Sequence, residues 1–213
     1  ASTQTPFRLK EEVAETLGVP AEKVRVIAPF VGGGFGGKSR NTQAIEAAKL
    51  SKLAQKPVQV VFTRAEEFFY DSFRPAAVVK IKSGLDESGK LVFWDYGVYF
   101  AGERGSACFY DVPNLRTIAY GELRGGPDAH PFATGAWRAP ANNTNTFARE
   151  SHIDILATEA GMDPVEFRLK NLKDERMIRV LKAAAEKFGW TPAKRPAAAG
   201  RGVGVACGAD SGT

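Results

Sequence analysis

The sequence is poor in the side chains that usually hold metal ions. Cys108 and Cys207 are its only cysteines, His130 and His152 are its only histidines, and no C-x-x-C pair occurs. Zinc sites and iron–sulfur clusters need several such side chains, commonly at short spacing. The sequence therefore argues against a zinc site or an iron–sulfur cluster held by this chain, and we expect both thiols to be free.

Long apolar runs are also absent. No segment approaches the roughly 20 apolar residues needed to cross a bilayer, so we expect no membrane span. The first residues lack the pattern of a secretory signal, which leaves the compartment open. The chain begins at Ala1 without Met and stops at Thr213 just after an apolar run. We interpret it as part of a longer polypeptide, whose remaining chemistry lies elsewhere.

An excess of charge of one sign is missing as well. The sequence has 29 Lys and Arg against 24 Asp and Glu, a formal net charge of +5. The basic residues between Arg168 and Lys182 have no interleaved aromatic residues, so we interpret them as a charged outer face. We expect no nucleic-acid partner, although a polyanionic cofactor would suit this charge balance.

The most informative segment runs from Val31 to Ser39 and reads VGGGFGGKS. Glycine reaches positive φ and lets a backbone approach a ligand without a Cβ in the way. A strand, a glycine loop and a helix in that order form an anion cradle, because amide groups converge on the loop. Phe35 inside the glycines indicates a shaped loop and not a flexible turn.

A phosphate loop is one interpretation of this segment. Gly32 to Ser39 satisfies the pattern G-x-x-x-x-G-K-[ST] of nucleoside triphosphatases. Leu91 to Asp95 could supply the apolar strand that ends in a magnesium-binding Asp. However, the turn residues Asp86 to Gly89 predict that this strand is the second half of a hairpin. Nucleotide binding stays an alternative.

Periodicity and turn signals predict an α+β fold, a mixed sheet with packed helices. We expect the helix after the glycine loop to pack on a sheet, and 24–62 to form a strand–loop–helix–strand unit. Helices are predicted over 6–17, 41–55, 143–160, 163–169 and 175–188, and a loop or short helix over 64–74. Strands are predicted over 24–27, 58–62, 77–83, 91–100 and 115–123, with a strand-like run over 203–206.

A second loop, Gly135 to Pro140, places Trp137 and Arg138 between glycine and proline just before a helix. We expect a buried arginine here. It either faces an anionic ligand or forms a structural salt bridge, and the residues alone favour neither interpretation. On the following helix, His152 is expected to be structural or solvated, while the spacing of Glu150 and Asp154 indicates a solvated face.

Four motifs in order resemble a known family. They are Ser2–Gln4, Gly32–Lys38, Gly135–Arg138 and Gly161–Leu172, and the match extends over nearly all of 1–190. Together they resemble the molybdenum-binding large subunit of the xanthine dehydrogenase and aldehyde oxidase superfamily. The variant Ala139-Pro140-Ala141-Asn142 is more similar to the isoquinoline 1-oxidoreductase and aldehyde dehydrogenase branch than to the purine enzymes.

The resemblance implies a molybdenum–pterin cofactor, which we expect in its cytosine dinucleotide form. The metal in this family is held by the pterin and not by protein side chains, which agrees with the shortage of Cys and His. The protein contributes hydrogen bonds around the metal's other ligands. The implied cofactor-binding residues are Gln4, Gly34, Phe35, Gly36 and Arg138.

The implied reaction is hydroxylation of an aldehyde or of a ring carbon next to nitrogen, with oxygen taken from water. The family's catalytic base is a distant glutamate that nothing in this chain matches, so this chain alone is expected to be inactive. Electrons would leave through 2Fe–2S clusters, with FAD or haem as further candidates, on partner chains. The implied partners are the rest of the large subunit, an iron–sulfur small subunit and a small-molecule substrate.

Departures from the purine enzymes limit the choice of substrate. Ser39 stands where they carry a substrate-binding glutamate, and Pro140 where they stack an aromatic ring on the substrate. A purine substrate is therefore disfavoured. We assign Ser39, Arg104, Trp137 and Pro140 to the substrate pocket, Arg104 as the nearest counterpart of the family's substrate-steering arginine.

The resemblance also divides the chain. We expect a molybdenum cofactor-binding domain over 1–190, and a Pro- and Ala-rich linker with the start of a further segment over 191–213. A non-catalytic homologue that serves only in assembly stays a further alternative.

Overall fold

The computed structural model describes residues 1–123, 130–191 and 200–210. Residues 192–199, most of the expected linker, lie outside the described part. The chain divides into two compact units. The first contains Ala1–Pro75 and Arg124–Pro140, and the second contains Ala76–Leu123 and Ala141–Thr213.

The described part of the first unit is built from helices. Proline at the first position begins α1 and Gly18 in the left-handed region ends it, as the sequence predicted. A capping box between Thr63 and Glu66 begins the short third helix, whose aromatic residues are exposed. The helices are α1 (Pro6–Leu17), α2 (Thr42–Ala54) and α3 (Arg64–Tyr70).

The strands predicted over 24–27 and 58–62 are not formed, so the predicted strand–loop–helix–strand unit is wrong. Both segments are free of helix and strand, and neither pairs with another described segment. A strand requires a neighbouring backbone to complete its ladder, whatever its own propensity. The helix α2 likewise packs on no sheet; it has no buried residue and contacts α1 instead.

A mixed three-stranded sheet begins the second unit. β1 (Val78–Leu85) pairs antiparallel with β2 (Leu91–Tyr99), and β2 pairs parallel with β3 (Asn114–Tyr120). In the hairpin turn, the Asp86 carboxylate accepts hydrogen bonds from the amides of Ser88 and Lys90, both 2.9 Å long. The predicted hairpin is therefore confirmed. Asp95 lies in the second strand of this hairpin and forms an ion pair with Arg116, so its place in the fold differs from that of a magnesium-binding Asp.

Three helices follow the sheet in the described residues of the second unit. Asp163 and Asp174 accept hydrogen bonds from amides of the first turns of the last two helices, which is how such residues fix a helix start. The helices, all predicted from the sequence, are α4 (Asn142–Glu159), α5 (Pro164–Asn171) and α6 (Glu175–Phe188).

The core of the second unit forms where β2 meets α4 and α5. Trp94, Tyr96 and Val98 of β2 are buried with Ile153 of α4 and Phe167 of α5. The predicted strand over 203–206 is absent, and the chain there joins the core through the buried side chain of Cys207. A mixed sheet with packed helices confirms the predicted α+β class. Within the described residues, every helix is too short or too polar to cross a bilayer.

Candidate functional site

The glycine loop of the first unit has a backbone that few residues tolerate. Gly36 has φ +107°, and Phe35, although not glycine, has φ +50°. The amide of Gly37 donates to the Gly34 carbonyl at 2.8 Å and closes the turn. Non-glycine residues at positive φ cost energy and persist where the surroundings enforce them, commonly at functional sites.

The N-terminal segment lies directly on this loop. The backbone amide of Gln4 donates to the Lys38 carbonyl at 2.8 Å. The side-chain oxygen of Gln4 accepts from the Gly36 amide at 3.3 Å. A Cβ at Gly34 would lie 2.2 Å from that oxygen, so only glycine allows this approach.

The second loop meets the first from another direction. The amide of Arg138 donates to the Phe35 carbonyl at 2.8 Å, and the Arg138 guanidinium lies 5.1 Å from the centre of the Phe35 ring. A Cβ at Gly36 would lie 2.0 Å from the Ala136 carbonyl oxygen. The structure therefore brings together all five residues assigned to the cofactor: Gln4, Gly34, Phe35, Gly36 and Arg138.

Neighbouring residues hold the second loop. The Gly135 amide donates to the Phe73 carbonyl at 3.0 Å, and a Cβ at Gly135 would lie 2.4 Å from the Ser72 hydroxyl oxygen. The Arg74 guanidinium lies 5.6 Å from the Trp137 ring centre. The expected burial of Arg138 is wrong: its side chain is exposed, because it lies on the outer face of the Phe35 ring at a loop surface.

Several backbone amides near the meeting point of the two loops are not engaged by the described part of the chain. Those of Gly34, Phe35, Ala136 and Trp137 donate no hydrogen bond within the described part of the chain. Free N–H groups in adjoining loops suit an anion or the oxygen atoms of a metal complex. Because a Cβ at Gly34 or Gly36 would collide with its neighbours, the loops form a cradle that depends on glycine.

The phosphate-loop pattern does not have the arrangement that its chemistry needs. The Lys38 ammonium donates to the Val31 carbonyl at 2.7 Å, and the Ser39 hydroxyl donates to the Gly36 carbonyl at 2.5 Å. In a phosphate loop these two groups face the phosphates and the magnesium ion. Here both groups are engaged by the loop's own backbone, which weighs against nucleotide binding.

The residues assigned to the substrate pocket do not all lie in one unit. Ser39, Trp137 and Pro140 belong to the two loops of the first unit, and Trp137 is about half exposed. Arg104 belongs to the second unit, where its guanidinium forms two hydrogen bonds of 2.7 Å to the Asp210 carboxylate. The Asn145 side-chain amide donates to the carbonyls of Gly102 and Arg104 and positions this loop.

Sequence reasoning missed a buried polar cluster beside Gln4. Thr3 and Asn41 are 4% and 6% exposed, and the Thr3 hydroxyl donates to the Asn41 side-chain oxygen at 2.8 Å. The Asn41 side-chain amide donates to a Glu12 carboxylate oxygen at 2.8 Å, which lowers the pKa of Glu12. The one available signal was an asparagine just before a helix, and that alone indicates only a cap.

A second buried cluster shows that two charged residues predicted to be exposed are buried. Glu150 was expected on a solvated face and Arg168 on an outer face, yet they are 3% and 0% exposed. Glu150 accepts hydrogen bonds from Arg168, Arg149 and the Tyr110 hydroxyl, and burial raises the Tyr110 pKa far above its usual range. The spacing of charges along one helix cannot show that α5 covers this face. His152, expected to be structural or solvated, is half-buried, and its ring nitrogen lies 2.7 Å from the Ser83 hydroxyl oxygen.

Two further observations concern metal ligands and cavities. Among the described residues, no three His, Cys, Asp or Glu side chains gather as a metal site, and both cysteines are free thiols. A cavity of about 770 Å³ in the first unit is lined by the N-terminal residues, α2, 58–62 and α3, but not by Gln4, Phe35 or Arg138.

Comparison with known proteins gives a family model and curated relatives. The model described as "Molybdopterin cofactor-binding domain" matches residues 1–172. A nicotinate dehydrogenase subunit of Pseudomonas putida is 29% identical, over 92% of this chain and 18% of its own length. The molybdenum-binding subunit of an Escherichia coli aldehyde oxidoreductase is 32% identical, over 85% of this chain and 27% of its own length. The chain thus spans about a fifth to a quarter of these relatives.

Solved structures share the fold. Quinoline 2-oxidoreductase from Pseudomonas putida 86 matches with a TM-score of 0.74 at 20% identity, over 88% of this chain and 28% of that one. Carbon monoxide dehydrogenase from Oligotropha carboxidovorans matches with a TM-score of 0.74 at 22% identity, over 87% and 27% respectively. At this level of identity, the likeness concerns the fold alone.

Proposed function

The chain belongs to the molybdopterin cofactor-binding domain family, among the molybdenum-binding subunits of the xanthine dehydrogenase family, and we propose that its two loops and Gln4 form part of a molybdenum hydroxylase centre. The observation that carries this proposal is the meeting of Gly34–Gly36 with Gln4 and with Arg138. These segments lie far apart in the sequence and converge where the backbone carries free amides.

The residues present fit the proposed cofactor. A Cβ at Gly34 or Gly36 would fill the cradle or collide with its walls, and the free amides suit oxygen ligands. No protein side chain is needed to bind the metal directly. When bound, the molybdenum–pterin group supplies the two-electron redox chemistry, and the protein supplies orientation and hydrogen bonds.

Each residue has a role that follows from its contacts. The side-chain oxygen of Gln4 is held by the Gly36 amide, which leaves the two hydrogens of its side-chain nitrogen for a ligand. Phe35 has its carbonyl bonded to Arg138 and its ring beneath the guanidinium, so the ring fixes the distance between the loops. Trp137, Ser39 and Pro140 would border the substrate.

The proposed reaction is hydroxylation of an aldehyde or of a carbon beside a ring nitrogen, with water as the oxygen source. Its support is the pair of relatives whose names are nicotinate dehydrogenase and aldehyde oxidoreductase. Purines are disfavoured by Ser39 and Pro140. Arg104 is kept as a substrate-binding candidate on the family resemblance alone, since the Asp210 carboxylate accepts two hydrogen bonds from its guanidinium.

The whole enzyme would need parts beyond this chain. We propose a domain over 1–190 followed by a linker into a further segment, a catalytic glutamate in the rest of the large subunit, and an iron–sulfur small subunit. The cofactor would be the cytosine dinucleotide form, with 2Fe–2S clusters and FAD or haem on partner chains. The support is that the named relatives are subunits and are several times longer than this chain.

Metal and pterin analysis of the native complex tests the proposal. We expect about one molybdenum and one pterin for each copy of this chain after purification. A native complex that contains neither molybdenum nor pterin would overturn the proposal. Tight ATP binding that is lost on Lys38→Ala would then indicate a phosphate loop, and absence of all three ligands would indicate an assembly subunit.

A further inference from the structure

Three segments converge at the proposed cofactor site, and none of them is regular secondary structure around its key residue. They are the N-terminal segment with Gln4, the glycine loop with Gly34–Gly36, and the second loop with Arg138. Irregular segments need side-chain contacts to keep one arrangement. The two residues that follow the glycine loop, Arg40 and Asn41, make such contacts in two directions.

Asn41 binds the N-terminal segment. Its side-chain oxygen accepts from the Thr3 hydroxyl at 2.8 Å, and its side-chain nitrogen donates to the Thr5 hydroxyl at 3.3 Å. Thr3 and Thr5 flank Gln4 directly. The Thr5 amide also donates to the Thr3 hydroxyl oxygen at 3.0 Å, so the turn around Gln4 closes on the same group that Asn41 holds.

Asn41 makes these contacts in place of capping its own helix. It stands at the N-cap position of α2, yet no side-chain cap is formed there. A capping asparagine commonly stabilises the helix that it begins. Its side chain instead donates to Glu12 of α1 at 2.8 Å, and that hydrogen bond is the main cause of the lowered Glu12 pKa. The side chain thus joins α1, α2 and the turn that carries Gln4.

Arg40 binds the second loop. Its guanidinium donates to the Thr134 carbonyl at 3.0 Å. Thr134 is 3% exposed and forms an isolated bridge with Phe73. The next residue, Gly135, opens the loop that ends at Arg138. A charged donor on a backbone carbonyl is stronger than a neutral one, and its loss leaves a buried acceptor without that partner.

We propose that Arg40 and Asn41 are positioning residues that form a bracket, Asn41 holding Gln4 and Arg40 holding the Gly135–Arg138 loop against the glycine loop. Neither residue need touch the cofactor. The role that we assign to the bracket rests on the proposed function, since the bracket would set the spacing of the groups that face the metal. Its geometry stands independently of any ligand.

Amide hydrogen exchange in the complete subunit, prepared without cofactor, tests each arm separately. The Gln4 amide, bonded to the Lys38 carbonyl, reports on the Asn41 arm, and the Arg138 amide, bonded to the Phe35 carbonyl, reports on the Arg40 arm. We expect Asn41→Ala to raise the exchange rate of the Gln4 amide at least threefold. We expect Arg40→Ala to do the same for the Arg138 amide.

Conservative and matched variants separate positioning from general loosening. Arg40→Lys keeps a charged donor and should restore much of the protection of the Arg138 amide. Gln43→Ala on the exposed side of α2 and Arg25→Ala before the loop should change neither reporter, since neither side chain bonds to the site. Should Asn41→Ala fail to fold, Thr3→Val removes the Thr3–Asn41 hydrogen bond, together with the bond from the Thr5 amide to the Thr3 hydroxyl, with little change in shape.

In the holoenzyme, the bracket variants should retain at least half of the wild-type molybdenum while kcat falls about tenfold. Unchanged exchange of both reporter amides in Asn41→Ala and Arg40→Ala would overturn the bracket. So would equal acceleration throughout the first unit, which would show general loosening. Absence of molybdenum from the wild-type complex would instead overturn the proposed function, and the exchange result would be unaffected.

Discussion

Single residues of the two loops carry the site because each has a restricted environment. Gly34 faces the Gln4 side chain and Gly36 faces the Ala136 carbonyl, so a Cβ at either position meets an atom at 2.2 Å or less. Gly37, the next residue, has its nearest such neighbour at 3.9 Å. The requirement for glycine therefore belongs to particular positions of the loop and not to glycine-rich composition.

Gly36→Val is expected to prevent the two loops from meeting. Its Cβ would lie 2.0 Å from the Ala136 oxygen at a φ of +107°. We expect the free energy of unfolding to fall by about 2–6 kcal/mol, since strain and overpacking each cost about 1–3 kcal/mol. The holoenzyme should lose at least nine-tenths of its molybdenum, measured by metal analysis.

The matched control is Gly37→Ala, because a Cβ there would make only an ordinary contact, 3.9 Å from Asp71, at a φ outside the left-handed region. It should fold and bind the metal as the wild type does. Normal molybdenum content and activity in Gly36→Val would contradict the close approach of the loops.

Gln4→Ala is expected to lower turnover while leaving molybdenum content largely intact. The side chain makes one hydrogen bond to the loop within the described residues, and neither α1 nor α2 is capped by it. Mutation of a residue that orients the ligands of a metal typically lowers activity about 10–100-fold. Steady-state kinetics with metal analysis on the same samples measures both quantities. Ser2→Ala is the control at a neighbouring position. If Gln4→Ala and Ser2→Ala had the same kinetics, the assignment of Gln4 to the site would be wrong.

At the scale of elements, residues at the ends of helices and turns decide where these elements begin. The packing of one element against another then decides the environment of their side chains. Proline and glycine frame α1, aspartates begin α5 and α6, and Asp86 shapes the β1–β2 turn. Packing between elements then sets the chemistry of single groups. His152 of α4 is one such group, since the Ser83 hydroxyl of β1 lies 2.7 Å from its ring nitrogen.

The stability of the second unit is expected to fall as pH drops below about 6.5, the usual pKa of histidine. Burial lowers the pKa of His152, partly opposed by Glu159. Below pH 6.5 the unfolded chain therefore binds a proton that the folded chain resists, and the loss continues until pH reaches the folded pKa.

Urea unfolding at pH 7.5 and 5.5 measures this effect. The stability advantage of the wild type over His152→Gln should shrink at the lower pH. An advantage of the same size at both values would show that burial does not disfavour the charged ring.

At the scale of the whole chain, one buried carboxylate connects distant segments of the second unit. Glu150 accepts hydrogen bonds from Tyr110, Arg168 of α5 and the amide of Cys207, the last at 2.8 Å. This amide belongs to the final described segment, which Glu150 thereby ties to α4. A buried charge with several donors is stable only while its partners remain.

Glu150→Ala is expected to lower the free energy of unfolding by about 3–5 kcal/mol, because the buried Arg149 and Arg168 lose their carboxylate. Glu159→Ala, at the exposed end of the same helix, should change it by less than about 0.5 kcal/mol. Chemical unfolding of both variants gives the comparison. A loss below about 1 kcal/mol in Glu150→Ala would mean that neighbours or water replace the carboxylate.

The sequence by itself determined the features that depend on neighbouring residues. The helix ranges, the hairpin, the α+β class and the four family motifs were all legible, because propensity and turn chemistry act over a few positions, although neither Thr5 nor Asn41 forms the side-chain cap that its position suggests. The segments 24–27 and 58–62 form no strand, contrary to the prediction from sequence. Their residues favour a strand, but the described chain offers them no partner backbone.

Only the tertiary structure decided which polar groups are buried and what they hold. Asn41, Glu150 and Arg168 look like surface residues in the sequence, yet most of their partners lie 14 to 57 positions away and enclose them. Arg138, expected inside, lies outside on the Phe35 ring. The cost of burying a polar group depends on all its neighbours in space, and no local pattern specifies them.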